Sequence, residues 1–122
     1  MSGLETIAIG DLVLVALPVH NPPGREQQGT RPAVVVGVPS GEIRYPTVAI
    51  APLTTATGSW SSNNPTLYPL LEAGVGDLYR SSIVLLPQVR GIDVRRVVRY
   101  LGTLTSEEYA PIREGLTQLF GL

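Results

Sequence analysis

Ala33-Val34-Val35-Val36, closed by Gly37 and Pro39, is a short apolar run between turn formers. It is too short for a stable helix, and its β-branched valines favour a buried strand. The polar cluster Gly24-Arg25-Glu26-Gln27-Gln28-Gly29-Thr30-Arg31-Pro32 runs straight into it. Pro32 fixes its own φ and biases Arg31 towards an extended conformation, so Arg31 is expected to be held at the base of the strand. Two readings of Arg31 stand on residue chemistry alone. Its planar fork is suited to a phosphate, and it is equally suited to pairing with Glu26 and closing the loop.

Outward from this run, the same punctuation recurs. Leu12 to Leu17 follows Gly10-Asp11 and reads as a strand, and Pro18 to Gly29 reads as a loop. Thr47 to Leu53, Leu67 to Leu71, Ser82 to Leu86 and Val97 to Leu104 read as further strands, the last ending near Gly102. Ala56 to Pro65 is rich in Ser, Thr, Asn and Gly and reads as a flexible loop. One helix is expected near the C-terminus. Thr105-Ser106-Glu107-Glu108 is a capping box, Tyr109, Ile112, Leu116 and Leu119 recur at helical spacing, and Gly121 stands where a C-terminal cap belongs. Pro111 lies past the first turn and predicts a bend or a missing hydrogen bond. Short strands followed by a terminal helix indicate a mainly β fold, a small antiparallel sheet or barrel with the helix packed on it.

Composition narrows the function. A chain of 122 residues is one domain's worth, spanning 1–122, and at this size roughly two-thirds of the unfolded surface can be buried without metal or disulfide support. Cysteine is absent and there is one His, which removes disulfides, thiolate zinc sites and multi-histidine metal sites. No apolar run approaches the roughly 18 residues of a membrane span, and Met1 to Ile9 shows no secretory pattern. These features fit a cytoplasmic protein. The net charge of −1 means that any nucleic-acid contact must come from a local patch. All nine basic residues are Arg, so every cation is a multi-donor guanidinium.

Four segments in order resemble the MazF/PemK toxins of bacterial toxin–antitoxin systems: Gly10-Asp11-Leu12-Val13, Glu26-Gln27-Gln28-Gly29-Thr30-Arg31-Pro32, Ala51-Pro52-Leu53-Thr54-Thr55, and Ser82 to Asp93 with Gln88-Val89-Arg90-Gly91-Ile92-Asp93. Leu101-Gly102-Thr103-Leu104 before the terminal helix also fits, so the resemblance covers about Gly10 to Leu122. It implies an SH3-like barrel with a C-terminal α-helix and short accessory helices, and a two-fold homodimer. It also implies a metal-independent endoribonuclease that cuts single-stranded RNA, leaving a 2′,3′-cyclic phosphate and a 5′-hydroxyl. No cofactor is implied, and the partner would be a cognate antitoxin.

By the same resemblance, Arg31, Thr54 and Glu26 are the catalytic candidates. Arg25, Gln27, Gln28, Thr55, Gln88 and Arg90 are the RNA-binding ones. Where some relatives carry a His before the Glu-Gln pair and an acid before the later Gln, this chain has Arg25 and Pro87, which leaves Glu26 and His20 as the nearest acid–base candidates. Trp60 in its polar loop can stack on a base or pack at an interface. Arg95, Arg96 and Arg99 form a basic run that more often marks a solvated face. Two rival readings share the fold: a gyrase poison, and a nuclease-silent module that binds RNA or an antitoxin.

Overall fold

The computed structural model describes residues 7–18 and 29–122. Among them lie seven strands in one curled antiparallel sheet: β1 (Asp11–Leu17), β2 (Gly29–Gly37), β3 (Thr47–Thr54), β4 (Leu70–Leu71), β5 (Ser82–Val84), β6 (Arg90–Asp93) and β7 (Val97–Thr103). The strand order is β4-β5-β3-β2-β1-β7, with β6 also paired to β3. One edge of β3 therefore serves two partners in turn. Its first half pairs with β6 (Val48↔Ile92, Ile50↔Arg90) and its end pairs with β5 (Leu53↔Val84, Thr54↔Ile83). Between them the chain makes a 3₁₀ turn, Leu86–Gln88, anchored by the Leu85 N–H donating to the Pro52 carbonyl at 2.9 Å. The result is an SH3-like half-barrel.

Both faces of the sheet are covered, which is why Leu12 to Leu17 reads as a continuous apolar run and not an alternating one. Leu12, Val34, Ala51 and Leu53 form one core with Tyr109 and Ile112 of the C-terminal helix. Val13, Val15, Ala33, Val35, Ile50 and Ile92 form the other, inside the curl. That helix, Ser106–Phe120, has the expected capping box. Thr105 Oγ1 accepts from the Glu108 N–H at 3.1 Å, and Glu108 Oε1 accepts from the Thr105 N–H at 2.8 Å. Gly121 ends it in the left-handed region at φ 68°, with the Leu122 N–H reaching the Thr117 carbonyl at 2.9 Å. The helix continues through Pro111, and the carbonyl that loses its donor there belongs to exposed Glu107. Gly115 lets it sit close: a Cβ there would collide with Leu86 Cδ1 and the Thr66 carbonyl oxygen.

The Gly10-Asp11 pair ties the start of β1 to the end of β7. The buried Asp11 carboxylate accepts from the Ala8 N–H (2.9 Å) and from the Thr103 hydroxyl (2.8 Å). Having given its proton to Asp11, Thr103 Oγ1 must accept from the Tyr100 hydroxyl, 2.6 Å away.

Several sequence expectations need correction. β2 starts at Gly29, so Arg31 and Pro32 lie within the strand and not below it. Its ladder to β3 ends at Ala33↔Pro52, and a residue without an N–H is tolerated just beyond that end. The expected strand Leu67–Leu71 shrinks to Leu70–Leu71, because the Tyr68 N–H turns back to the Asn64 carbonyl and Pro69 cannot donate. Ser82–Leu86 shortens to Ser82–Val84, where the 3₁₀ turn takes over. The Ala56–Pro65 loop contains a one-turn helix, α1 (Ser59–Ser62). Ser61 Oγ donates to the Gly58 carbonyl at 2.9 Å and stabilises that turn. The expected loop Pro18–Gly29 falls mostly outside the described residues.

Candidate functional site

Arg31 sits on β2 opposite Val15 of β1 and is exposed. It shares strand parity with Ala33 and Val35, so it extends the inner face of the curl past the edge of the core. Thr54 ends β3 and shares parity with Val48 and Ile50 of the same face. Continuing the Val34↔Ala51, Ala33↔Pro52 register by two residues brings Arg31 and Thr54 to matching positions where the two strands part. Sheet topology thus joins two candidates that are far apart in sequence.

The Thr54 hydroxyl accepts a 3.1 Å bond from the Ala56 N–H. This is the turn-satisfying role common for Thr at a strand end. It uses a lone pair and leaves the O–H proton to be donated elsewhere, with the oxygen already held in place. Thr54 lines an open cleft of about 410 Å³ with Trp60, Tyr68, Pro87 and Gln88. Gln88 closes the 3₁₀ turn, its N–H bonded to the Leu85 carbonyl at 3.0 Å. Pro87 is an early residue of that turn, where an N–H would have no acceptor within the turn, so proline there has a structural reason.

Thr55 takes the opposite side. It borders a second cleft of about 290 Å³ whose wall carries Asp77, Tyr79, Arg80 and Arg99. Its floor includes Leu14 and Pro32, cross-strand partners, and Arg99 pairs with Leu14 from the other edge. Sequence reasoning gave Arg80 no role and placed Arg99 on a solvated face. Cross-strand pairing brings Arg99 to this cleft, and no local pattern could have shown it.

A family model described as PemK-like, MazF-like toxin of type II toxin–antitoxin systems matches residues 8–120. The endoribonuclease MazF of Staphylococcus epidermidis is 32% identical over 114 residues, covering 93% of this chain and 90% of that protein. This chain belongs to the PemK-like, MazF-like toxin family.

Solved structures agree on the fold. A crystal structure of MazF from Deinococcus radiodurans superposes with a TM-score of 0.71 at 24% identity, covering 95% of this chain and 97% of that one. A MazE–MazF structure from the same organism gives a TM-score of 0.67 at 24% identity, covering 95% and 96%.

The remaining candidates of this toxin chain divide. Arg90 on β6 is half-buried opposite Ile50, at the far half of β3 from Thr54. Arg25, Glu26, Gln27, Gln28 and His20 lie outside the described residues. In the basic run, Arg95 is tied to Asp93. Its Nη2 donates to Oδ2 at 2.8 Å, and its backbone N–H donates to Oδ1 at 2.8 Å, capping the 3₁₀ turn Val94–Arg96. Those bonds, the side-chain one foremost, hold the Asp93 carboxyl down at about 2. Among the described residues no group of three or more His, Cys, Asp or Glu gathers as a metal site, and no helix is long and apolar enough to cross a membrane.

Proposed function

We propose that this toxin is an endoribonuclease that cuts single-stranded RNA by attack of the 2′-hydroxyl on the adjacent phosphate. The 2′-oxygen loses its proton to a base and bonds to phosphorus. The bond from phosphorus to the 5′-oxygen breaks, and that oxygen takes a proton from an acid. The products are a 2′,3′-cyclic phosphate and a 5′-hydroxyl. Negative charge grows on the phosphate oxygens during this step, and donors fixed in advance lower its barrier without a metal. Arg31 supplies the guanidinium and Thr54 the hydroxyl. Glu26, with His20 nearby in sequence, is the candidate for the proton transfers. Gln88 and Thr55, with Arg25, Gln27, Gln28 and Arg90, hold the RNA strand. The working unit is a two-fold dimer, and the regulating partner is an antitoxin.

The observation that carries this reading is the placement of Arg31 and Thr54 on one face at the open ends of β2 and β3, inside a chain of this family. The test is to incubate purified protein with a mixed RNA pool in EDTA and analyse the new ends. Cyclic-phosphate ends are expected. RNA that stays intact, or is cut only when Mg²⁺ is restored, overturns the mechanism. Intact RNA with inhibited supercoiling would identify a gyrase poison.

A further inference from the structure

Trp60 lies on α1, close to the proposed reaction centre but outside the set of residues that carry the chemistry. It is the single tryptophan of the chain. Its ring meets Tyr68 edge-on, with centroids 5.0 Å apart and planes at 87°, and both side chains line the cleft that Thr54 borders. The indole is held from a second side. A Cβ on Gly58 would come within 2.8 Å of Trp60 Nε1, so the glycine is what allows the ring to lie against the backbone there. The turn beneath is itself fixed, because the Gly58 carbonyl accepts from the Ser61 N–H (3.1 Å), the Ser62 N–H (3.2 Å) and the Ser61 hydroxyl (2.9 Å). Even so, 42% of the residue remains exposed.

A large ring held on two sides but left partly in contact with solvent keeps apolar surface available for a further contact. A base provides a π-face to cover it, at little further entropy cost because the ring is already oriented. Gln88, across the cleft, carries both a donor and an acceptor, the combination that base edges present. Among the described residues, no charged side chain lines this cleft. It therefore suits the flat, neutral part of a nucleotide and not its phosphate.

We propose that Trp60, braced by Tyr68, is the stacking platform for one RNA base next to the cleaved phosphate, with Gln88 reading that base's edge. The inference rests on the assignment of Thr54 to the phosphate, since that is what places the cleft beside the bond to be cut.

Because Trp60 is the only tryptophan, its fluorescence reports on the proposed site directly. The probe is a mixed-sequence 2′-O-methyl decanucleotide, which cannot undergo the 2′-hydroxyl attack. The control is a sugar–phosphate decamer of the same length without bases. Quenching by the first and not by the second is expected. Trp60→Ala should weaken binding of the decanucleotide by about 5- to 150-fold, and Trp60→Phe should recover part of the loss, with circular dichroism unchanged for both. Equal quenching by both probes, no quenching on binding, or unaltered affinity in Trp60→Ala overturns the proposal. A Trp60→Ala protein that loses self-association while keeping its RNA affinity assigns the ring to an interface between copies and also overturns it. The two readings fail separately. Quenching without cleavage of unmodified RNA by the wild type defeats the nuclease reading and leaves the base site standing. Cleavage that depends on Arg31 but not on Trp60 does the reverse.

Discussion

Thr54 and Thr55 are neighbours in the chain and border two different clefts. Among the described residues, the Thr54 cleft is lined by the aromatic rings of Trp60 and Tyr68 with Pro87 and Gln88, and by no charged side chain. Among the described residues, the Thr55 cleft has a largely apolar lining that includes Leu14, Pro32, Leu78 and Leu101, with two guanidinium groups, Arg80 and Arg99, one carboxylate, Asp77, and a Tyr79 that is 90% exposed. Thr54 is the last residue of β3 and Thr55 stands in the bend that follows, so the chain turns between the two clefts. On the proposed reading the two sides take different parts of one RNA strand: the Thr54 side a base beside the reacting phosphate, and the Thr55 side a neighbouring phosphate. With a net charge of −1, any attraction of RNA has to come from such local concentration of Arg.

The largest effects should separate the two threonines. Arg31→Ala is expected to lower kcat by roughly 10²-fold or more, and Arg31→Lys should restore little because it keeps the charge but loses the fork. Thr54→Val should cost about 10²-fold in kcat by the same loss of a donor, whereas Thr55→Val should leave kcat within a few-fold. Single-turnover kinetics on saturating RNA decide this. Equal effects at 54 and 55 would break the proposed division, and near-normal kcat in Arg31→Ala would reduce Arg31 to a structural role.

The basic cleft should announce itself through salt. Arg80→Ala with Arg99→Ala should raise KM with kcat little changed. It should also flatten the plot of log binding constant against log salt by about 1.4, at roughly 0.7 per lost phosphate contact for a single strand. An unchanged slope would mean that these arginines touch no phosphate. Gly115→Ala probes the other cleft from behind. The added methyl presses on Leu86 and Thr66, which precede Gln88 and Tyr68 in the chain. It should destabilise the fold by about 1–3 kcal/mol and weaken RNA binding more than the arginine pair alters kcat. Denaturant melts and binding isotherms on one preparation test both parts.

The smallest effect belongs to Arg95, since its guanidinium is already taken up by Asp93. Arg95→Ala with Arg96→Ala should leave kcat within a few-fold. Asp93 titrates at about 2, below the ordinary 3.8, so its contribution to stability is present above that ordinary value and is lost as the pH falls through about 2. Arg95→Ala should move the Asp93 carboxyl back towards the ordinary range, as read by NMR titration. An Asp93 that still titrates near 2 in the variant would show that Arg95 is not the cause.

The C-terminal helix, β1 and β3 were legible because their signals are local. The Thr105–Glu108 box, the stripe from Tyr109 and the Gly121 cap each act within a turn or two of chain. β6 left no comparable signal. Arg90-Gly91-Ile92-Asp93 has one strongly apolar residue, Ile92, and is a strand because β3 supplies its hydrogen bonds. The family resemblance pointed to Arg31 and Thr54 as site residues, but their alignment on one face follows only from the β2–β3 register.

The sequence by itself determined the arginine-only basic chemistry, the capped helix, the short strands and the family motifs. All of these depend on residue type and near neighbours. Only the tertiary structure decided which side chains share a cleft. Trp60 and Tyr68 meet through a one-turn helix held by Ser61 hydrogen bonds. Arg99 reaches the Thr55 cleft because β7 pairs with β1 and β1 with β2. Such meetings are set by strand pairing between residues distant in sequence, where a shift of one position would turn every side chain to the other face.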